Sequence, residues 1–240
     1  MQQALDTDTK INARYNLHYQ HPEMEEWRRI GAFGKAENII SMCSSIPHDR
    51  IIDVGCGEGA VLEQLLEKDF SQEYVGAEIS DGALELLRRK ERLKDVELIQ
   101  IDDYAINVQD QRFDLAVLSH VLEHVEHPRR LIAEVSRIAK YIFVEVPLEC
   151  TARLKPDYVE DLTGHINFYD RITIRRFLQT CGLTIVDQRI TDTSKELVVF
   201  QHGKMGRVRH LVRKVALNLV PSIAQRIFVY HAALLCRSGN

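Results

Sequence analysis

A glycine-rich turn between an apolar strand and an apolar helix constrains this chain more than any other stretch. Residues 51–59 are Ile-Ile-Asp-Val-Gly-Cys-Gly-Glu-Gly, and apolar residues at helical spacing follow. The apolar residues around Asp53 predict a short buried strand. Glycine is needed where the backbone takes a positive φ or lies against a ligand, and the following helix N-terminus presents unpaired N–H groups. The spacing G-x-G-x-G differs from both GxGxxG and GxxxxGK[ST], so the turn predicts a polar-ligand site of another kind.

A second strand that ends in an acid strengthens this prediction. Tyr74–Glu78 follows the glycine turn by about 20 residues, the spacing at which a carboxylate meets ribose hydroxyls in a strand–helix–strand nucleotide fold. Taken alone, Glu78 also fits a surface acid and Asp53 a capping residue. Their joint spacing favours a ligand site at the carboxyl ends of two neighbouring strands.

Strand and helix patterns alternate along residues 51–146, which predicts a parallel, doubly wound α/β sheet. A helical lead-in is predicted from Glu23 to about Ser45, after an irregular polar arm over residues 1–22. Strands are predicted at 51–54, 74–78, 96–101, 113–119, 141–146, 183–190 and 228–236. Helices are predicted at 60–67, 81–92, 129–139 and 172–181.

Two further segments follow in order: an acidic pair, Asp102 and Asp103, after the third strand, and the apolar fourth strand Phe113–Ser119. With the glycine turn and Glu78 they resemble the four motifs of class I S-adenosylmethionine (SAM)-dependent methyltransferases. The resemblance implies a Rossmann-like, seven-stranded, mostly parallel sheet with helices on both faces and an antiparallel final hairpin. It implies one domain over 1–240: a helical lead-in (1–46), a SAM-binding core (47–190), a helical insertion (191–227) and a last strand (228–240). It also implies SAM as the cofactor and S-adenosylhomocysteine as its product.

The resemblance assigns cofactor roles residue by residue. The turn would hold the methionine part of SAM, Glu78 the ribose hydroxyls, Asp102 or its neighbour Asp103 the adenine amino group, and residues after the fourth strand would lie beside the cofactor. Asp102 alone also fits the start of a turn. The expected cofactor-binding residues are Asp53, Gly55, Cys56, Gly57, Gly59, Glu78, Ile79, Asp102, Asp103, Ser119 and His120.

Histidines mark the expected acceptor side. His165, in Gly-His-Ile-Asn-Phe-Tyr after the fifth strand, suits a general base near neutral pH. It also fits a residue that orders its loop, and the two interpretations are equally weighted. His124 is the second catalytic candidate. The segment His120-x-x-Glu123-His124 resembles a metal-binding E-x-x-E-H pattern, but a histidine replaces the first acid. We therefore expect no metal, since magnesium prefers oxygen ligands.

Composition narrows the class of partners. The net charge is -4, which argues against binding to DNA. The cysteines are odd in number and widely spaced, which favours reduced thiols and a cytoplasmic location: Cys43, Cys56, Cys150, Cys181 and Cys236. Neither a signal peptide nor a membrane-spanning run is expected. We expect a monomer or a homodimer.

The C-terminal insertion has an unusual charge pattern. No acid follows Glu196, whereas seven lysines and arginines do. Residues 207–219 predict a basic amphipathic helix whose apolar stripe is Val208, Leu211, Val212, Val215 and Leu219. Three interpretations remain open: peripheral contact with the inner face of a membrane, a cover over the acceptor pocket, or a solvated basic face with its stripe packed on the sheet.

The sequence thus predicts a SAM-dependent methyltransferase for a small or carrier-linked acceptor. Resemblance favours O-methylation of a sugar or secondary metabolite. The alternatives are a quinone or lipid O-methyltransferase at the membrane surface, a small-RNA 2′-O-methyltransferase and a catalytically silent SAM-binding module.

Overall fold

The sheet occupies the centre of the molecule. A computed structural model describes residues 22–158 and 164–239, so the arm predicted before Pro22 falls almost wholly outside the described residues. Within them the sheet order is β3-β2-β1-β4-β5-β7-β6. Its strands are β1 (Arg50–Val54), β2 (Glu73–Glu78), β3 (Glu97–Gln100), β4 (Phe113–Ser119), β5 (Ala139–Pro147), β6 (Thr184–Thr191) and β7 (His231–Arg237).

Helices cover both faces of this sheet. In the described part of the chain they are α1 (Pro22–Cys43), α2 (Ala60–Glu67), α3 (Asp81–Arg88), α4 (Pro128–Ile138), α5 (Arg171–Thr180), α6 (Lys195–His202), α7 (Lys204–Leu219) and α8 (Pro221–Ile227). The predicted helix 81–92 is divided, because a separate 3-10 turn spans Glu91–Leu93.

Alternating side chains of the strands build two cores. In β1, Ile52 and Val54 pack with α4 and α5, whereas Ile51 packs on the other face with α1 and α2. β7 runs antiparallel to both β5 and β6, and the remaining neighbours are parallel. The predicted α/β fold with its antiparallel end is therefore confirmed. Parallel order places the carboxyl ends of β1, β2, β4 and β5 along one edge, where such sheets bind ligands.

The last strand begins three residues later than predicted. The backbone before it is held by another element, because Arg213 of α7 donates to the carbonyl of Val229 at 2.6 Å. Its guanidinium also lies over the rings of Phe228 and Tyr230, 5.5 and 4.9 Å from their centroids. Residues 228–230 therefore pack against α7, and pairing of the last strand with β5 starts at His231.

The orientation of α7 corrects one interpretation of its sequence. The apolar stripe was expected to pack on the sheet if the basic face was merely solvated. Instead the stripe faces solvent: Leu211 is 60% and Leu219 76% exposed, whereas Arg213 is buried. That interpretation is wrong, because α7 packs through Gly206 and Arg213 rather than through its branched side chains.

Candidate active site

A cavity of about 760 Å³ opens at the carboxyl ends of the parallel strands. This volume lies within the range of small-molecule sites. The cavity is lined by the glycine turn after β1, the end of β2 and the segment after β4. The N-terminal helix α1 and the insertion helices α6 and α7 complete its walls. Most of the predicted site residues therefore meet in one place, although Gly59 and Asp102 do not line it.

The glycine turn has the backbone that its sequence predicts. Gly55 has φ of 76°, and a Cβ there would lie 2.8 Å from Cγ2 of Val121. Its N–H donates to the Ala77 carbonyl at 2.7 Å, which ties the turn to the end of β2. Gly59 also has a positive φ, and its Cβ would meet Leu93 at 2.6 Å. Gly59 is thus needed for packing behind the turn, whereas Gly55 and Gly57 shape the cavity wall.

Glu78 organises the turn from the neighbouring strand. One of its carboxylate oxygens accepts from the N–H of Gly57 at 2.9 Å. The other accepts from Ile79 and Ser80 at 2.8 and 2.9 Å. Burial raises the pKa of Glu78, and these three N–H donors oppose the rise. A carboxylate has about four acceptor positions, so it retains capacity for a hydroxyl donor.

Asp53 is a buried acid at the base of the same cavity. Its side chain is 3% exposed. Burial raises the pKa of Asp53 to about 7; the positive charge of Lys35 opposes this, and the negative charge of Glu78 adds to it. A carboxyl group in this state is easily ionised by a bound cation. The cavity therefore suits a positively charged ligand.

The N-terminal helix closes over the turn. Arg28 of α1 makes a bidentate pair with Glu58 of the turn, at 2.8 and 3.1 Å. Both side chains are nearly buried. Trp27 and Lys35, on the same helix, line the cavity. Helix α1 therefore covers one side of the glycine turn.

The two adjacent acids after β3 differ in position. Asp102 is exposed and its backbone pairs with that of Ala105 in a tight turn. Asp103 lines the cavity together with Tyr104, and both take positive φ. Asp103 also pairs with Arg130 at 2.7 Å. Of the two alternatives left open by the sequence, Asp103 is the one that lies at the cavity.

A polar cluster lies beyond β4. His120 has φ of 59°, uncommon for a histidine, and its Nδ1 lies 3.1 Å from the fully buried carboxylate of Glu123. Its ring meets that of His231 edge-on at 4.7 Å. Burial lowers the pKa of both imidazoles, so they are neutral at pH 7. Ser119 donates to Glu145 at 3.3 Å. The predicted Ser119 and His120 both line the cavity.

The two histidines predicted to be catalytic are neighbours. The rings of His124 and His165 lie 4.7 Å apart, edge to face. His165 Nδ1 lies 2.8 Å from a carboxylate oxygen of Glu149, a residue that follows β5. Burial lowers the pKa of His124, whereas Glu123 opposes this. The cavity thus contains a carboxylate–imidazole pair, the arrangement that orients a histidine for proton transfer.

Asn167 explains how His165 is placed. Its amide donates to the carbonyls of Leu122 and Val125 at 2.9 and 2.6 Å. The N–H groups of Ile166 and Asn167 both donate to the carbonyl of Glu123. The His165 segment is therefore tied by backbone bonds to the segment after β4. Asn167 serves this connection through its side-chain amide.

Among the residues that the structure describes, two histidine–carboxylate triads have donor atoms close enough for a metal ion. They are His120, Glu145 and His231, and Glu123, His124 and His165, each within 4.8 Å. Mixed imidazole and carboxylate ligands suit zinc better than magnesium. The expectation that no metal binds stays a prediction.

Sequence reasoning missed several ionisable residues that line the cavity, among them Lys35, Glu145, Glu149 and His231. Only Glu145 carries a recognisable signal, since an acid inside the apolar run of β5 cannot stay unpaired when buried. It accepts from Asn38 at 2.7 Å and Thr191 at 3.1 Å. The others come from α1, a loop and β7, so only the folded chain joins them.

Among the described residues no helix combines the length and the apolar character needed to cross a bilayer.

Comparison with known sequences identifies the family. A family described as "Methyltransferase domain" matches residues 19–188, well over half of the chain. The chain is 27% identical over 118 residues to demethylmenaquinone methyltransferase of Renibacterium salmoninarum, which covers 49% of this chain and 45% of that protein. It is 32% identical over 89 residues to a mitochondrial ubiquinone biosynthesis O-methyltransferase of Candida albicans, covering 35% and 27%. The chain thus spans under half the length of these curated relatives.

Solved structures support the same fold. The [4+2]-cyclase SpnF superposes with a TM-score of 0.61 at 19% identity, over 85% of this chain and 80% of its own. A SAM-dependent methyltransferase from Clostridium acetobutylicum gives 0.57 at 15% identity, over 85% and 91%. These likenesses establish the fold alone. The chain belongs to the methyltransferase-domain family and has the fold of class I SAM-dependent methyltransferases.

Proposed function

We propose that this enzyme methylates a hydroxyl oxygen of an apolar, lipid-soluble acceptor, with His165 as the general base. The observation that carries the proposal is the 2.8 Å contact between His165 Nδ1 and Glu149, inside the cavity that also contains the glycine turn. A hydroxyl acceptor must lose a proton during methyl transfer, and an oriented neutral imidazole is suited to take it.

The cofactor side is assigned to the turn and the acids around it. Gly55 and Gly57 form part of the cavity wall, Glu78 has acceptor capacity left for a hydroxyl, and Asp103 lines the same cavity. SAM supplies a methyl group on a positively charged sulfur, which the ionisable Asp53 suits electrostatically. Protein groups therefore chiefly bind the cofactor and align the acceptor.

The proton is assigned to a defined path. Because Glu149 accepts from Nδ1–H of His165, the basic lone pair is at Nε2. The acceptor O–H proton passes to Nε2, and Glu149 stabilises the imidazolium that forms. His124, 4.7 Å away between ring centroids, helps to position the His165 ring. This assignment gives His165 a catalytic role and Glu149 and His124 positioning roles.

Two observations favour a lipid-soluble acceptor over the sugar that sequence resemblance favoured. The two relatives described above are named for demethylmenaquinone and for ubiquinone biosynthesis, and both quinones are lipid-soluble. In addition, Val121, Val125, Leu197 and Val198 line the cavity and offer apolar contacts. An RNA acceptor fits poorly, because its phosphates would lie among many acids: Asp53, Glu78, Asp103, Glu123, Glu145 and Glu149.

Methyl-labelled SAM tests the proposal. The purified enzyme is incubated with a short-chain prenylated catechol in detergent, with a nucleotide sugar and with a small RNA, and mass spectrometry locates the label. We expect label on the catechol oxygen. His165→Gln should lower turnover by about 10²–10⁴-fold while SAM affinity by calorimetry stays unchanged.

The other outcomes have distinct meanings. Label on the sugar or RNA would overturn the acceptor class, and retained turnover of His165→Gln would overturn the general base. SAM binding without any transfer would favour the silent module that the sequence also allowed.

A further inference from the structure

Helix α7 exposes a continuous apolar surface that its own fold does not use. Its members share one side of the helix, and each is between 45% and 76% exposed. We call them the apolar face: Val208, Leu211, Val212, Val215 and Leu219. Beyond it, Ile223 of α8 is 57% exposed. Single exposed apolar residues are ordinary, but a run of five on one helix side marks an interaction site.

The outward orientation of the apolar face is fixed by the opposite side of α7. Gly206 packs so closely on α6 that a Cβ would lie 2.5 Å from the Val198 carbonyl. About two turns further on, and so on the same side of the helix, Arg213 binds Asp192 through Nε at 2.8 Å and through Nη2. The Tyr230 hydroxyl donates to the Arg213 carbonyl at 2.7 Å. Rotating α7 to bury its apolar face would break all of these contacts.

Positive charge surrounds the apolar face. Five basic side chains of α7 and α8 are exposed, and none forms an ion pair with a described residue: Lys204, Arg207, Arg209, Lys214 and Arg226. No acid occurs after Glu196 in the sequence. The rest of the chain carries the excess of acid that makes the net charge -4. This separation of charge favours a negatively charged apolar surface as partner, whereas a second copy would bring equal positive charge against it.

The same helices reach the cavity. Gln201 and His202 of α6 and Arg209 and Arg213 of α7 line it, so the apolar face lies on the outside of one cavity wall. A partner that covered the apolar face would therefore meet the wall of the acceptor site.

We propose that the apolar face of α7, with its five basic neighbours, docks on an anionic lipid bilayer. The helix would lie in the plane of the interface, with branched side chains among the acyl chains and arginines and lysines at the headgroups. Membrane docking rests on the proposed function in one respect, because the bilayer would be the source of the lipid-soluble acceptor. The binding test below does not depend on turnover.

Vesicle sedimentation tests this docking. The full chain is mixed with vesicles of phosphatidylcholine alone or of phosphatidylcholine with phosphatidylglycerol, and bound protein is quantified at low and high salt. We expect binding to the anionic vesicles that weakens with salt. Leu211→Gln with Leu219→Gln should reduce the partition coefficient by about tenfold or more, and Arg207→Gln with Lys214→Gln by a similar factor.

A matched control uses equally exposed apolar residues elsewhere. Ile172 and Val186 are 56% and 52% exposed, on α5 and β6. Ile172→Gln with Val186→Gln should leave vesicle binding unchanged. Calorimetric SAM affinity of every variant reports whether it is folded, since none of these residues lines the cavity.

Three results would overturn the proposal. One is no binding of the folded wild type to anionic vesicles. Another is equal loss of binding in the control variant. The third is a wild-type dimer by light scattering that Leu211→Gln with Leu219→Gln disperses while vesicle affinity is absent, which would make the face an interface between copies. Failure of methyl transfer to a soluble catechol would instead affect only the proposed function.

Discussion

Two regions of the molecule differ in how far their sequence predicts their structure: the carboxyl ends of β1 and β2, and the insertion helices α6–α8. At the strand edge the glycine spacing predicts both the positive φ of Gly55 and the place of Glu78 at the turn. In the insertion the sequence predicts the helix at 207–219 but leaves its orientation open, and packing on the sheet proves wrong. A turn is determined by residues close in the chain, whereas a helix orients on whatever it packs against.

Arg213 makes this difference concrete. It is one of seven basic residues after Glu196, and nothing in its immediate sequence distinguishes it from the exposed Arg207 or Lys214. Its partner Asp192 is 21 residues away, at the end of β6. Burial of Arg213 depends on that carboxylate, because an unpaired charge would be strongly disfavoured there. The amphipathic pattern alone therefore cannot give the inward side of α7.

The largest expected effect tests that dependence directly. Arg213→Leu leaves Asp192 buried without its partner, and we expect the free energy of unfolding to fall by about 3 kcal/mol. Arg207→Leu, at an exposed position of the same helix, should change it by less than about 0.5 kcal/mol. Urea unfolding of both variants measures the difference. Equal effects would mean that α7 is not oriented by the ion pair.

A second test measures how much Glu78, at the end of β2, contributes to SAM affinity. Glu78→Gln keeps the shape of the side chain but removes the charge and places an amide donor among N–H groups. We expect SAM and S-adenosylhomocysteine to bind about 30–100-fold more weakly by calorimetry. Glu85→Gln, on the exposed side of α3, is the matched control and should bind normally. An unchanged dissociation constant for Glu78→Gln would remove the ribose assignment.

Glu149 combines features of both regions. No sequence motif predicts it, yet its carboxylate contacts the predicted residue His165. Glu149→Gln can still accept from His165 Nδ1–H but no longer stabilises the imidazolium. We expect kcat to fall by about tenfold with little change in KM or SAM affinity, and the pH at half-maximal kcat to move. A uniform loss of SAM binding and stability would show that Glu149 only supports the loop.

How much of the site could be predicted follows the same division. Of the eleven residues expected to bind the cofactor, nine line the cavity; Gly59 lies behind the turn, and a strained turn puts Asp103 rather than Asp102 at the cavity. His165 and His124 were predicted, but their partner Glu149 was not, since a lone loop acid has many equivalent places. Lys35 and His231 were missed because α1 and β7 are far in sequence from the motifs. They reach the cavity only when the chain is folded. Local motifs therefore predict residues that lie next to a turn or strand end, whereas residues brought in by long-range contacts cannot be predicted from them.

The smallest expected effect concerns Asp53, the buried acid at the end of β1 that lines the cavity. Its folded pKa of about 7 is above the ordinary value of 3.8 because of burial, so the folded chain holds a proton that the unfolded chain has lost between these pH values. The stability contribution of Asp53 is therefore present below about pH 4 and falls as pH rises toward 7. Above pH 7 it no longer changes.

Cofactor binding should show the opposite dependence on pH. A cationic sulfonium favours the ionised form of Asp53, so SAM affinity should rise by about fivefold from pH 6 to pH 8. S-adenosylhomocysteine, which lacks that charge, should respond less, and Asp53→Asn should remove the difference between the two ligands. Calorimetry at the two pH values measures it. Equal pH responses would mean that the charge at the strand edge serves folding of the turn, and that recognition of SAM there depends on shape and hydrogen bonds.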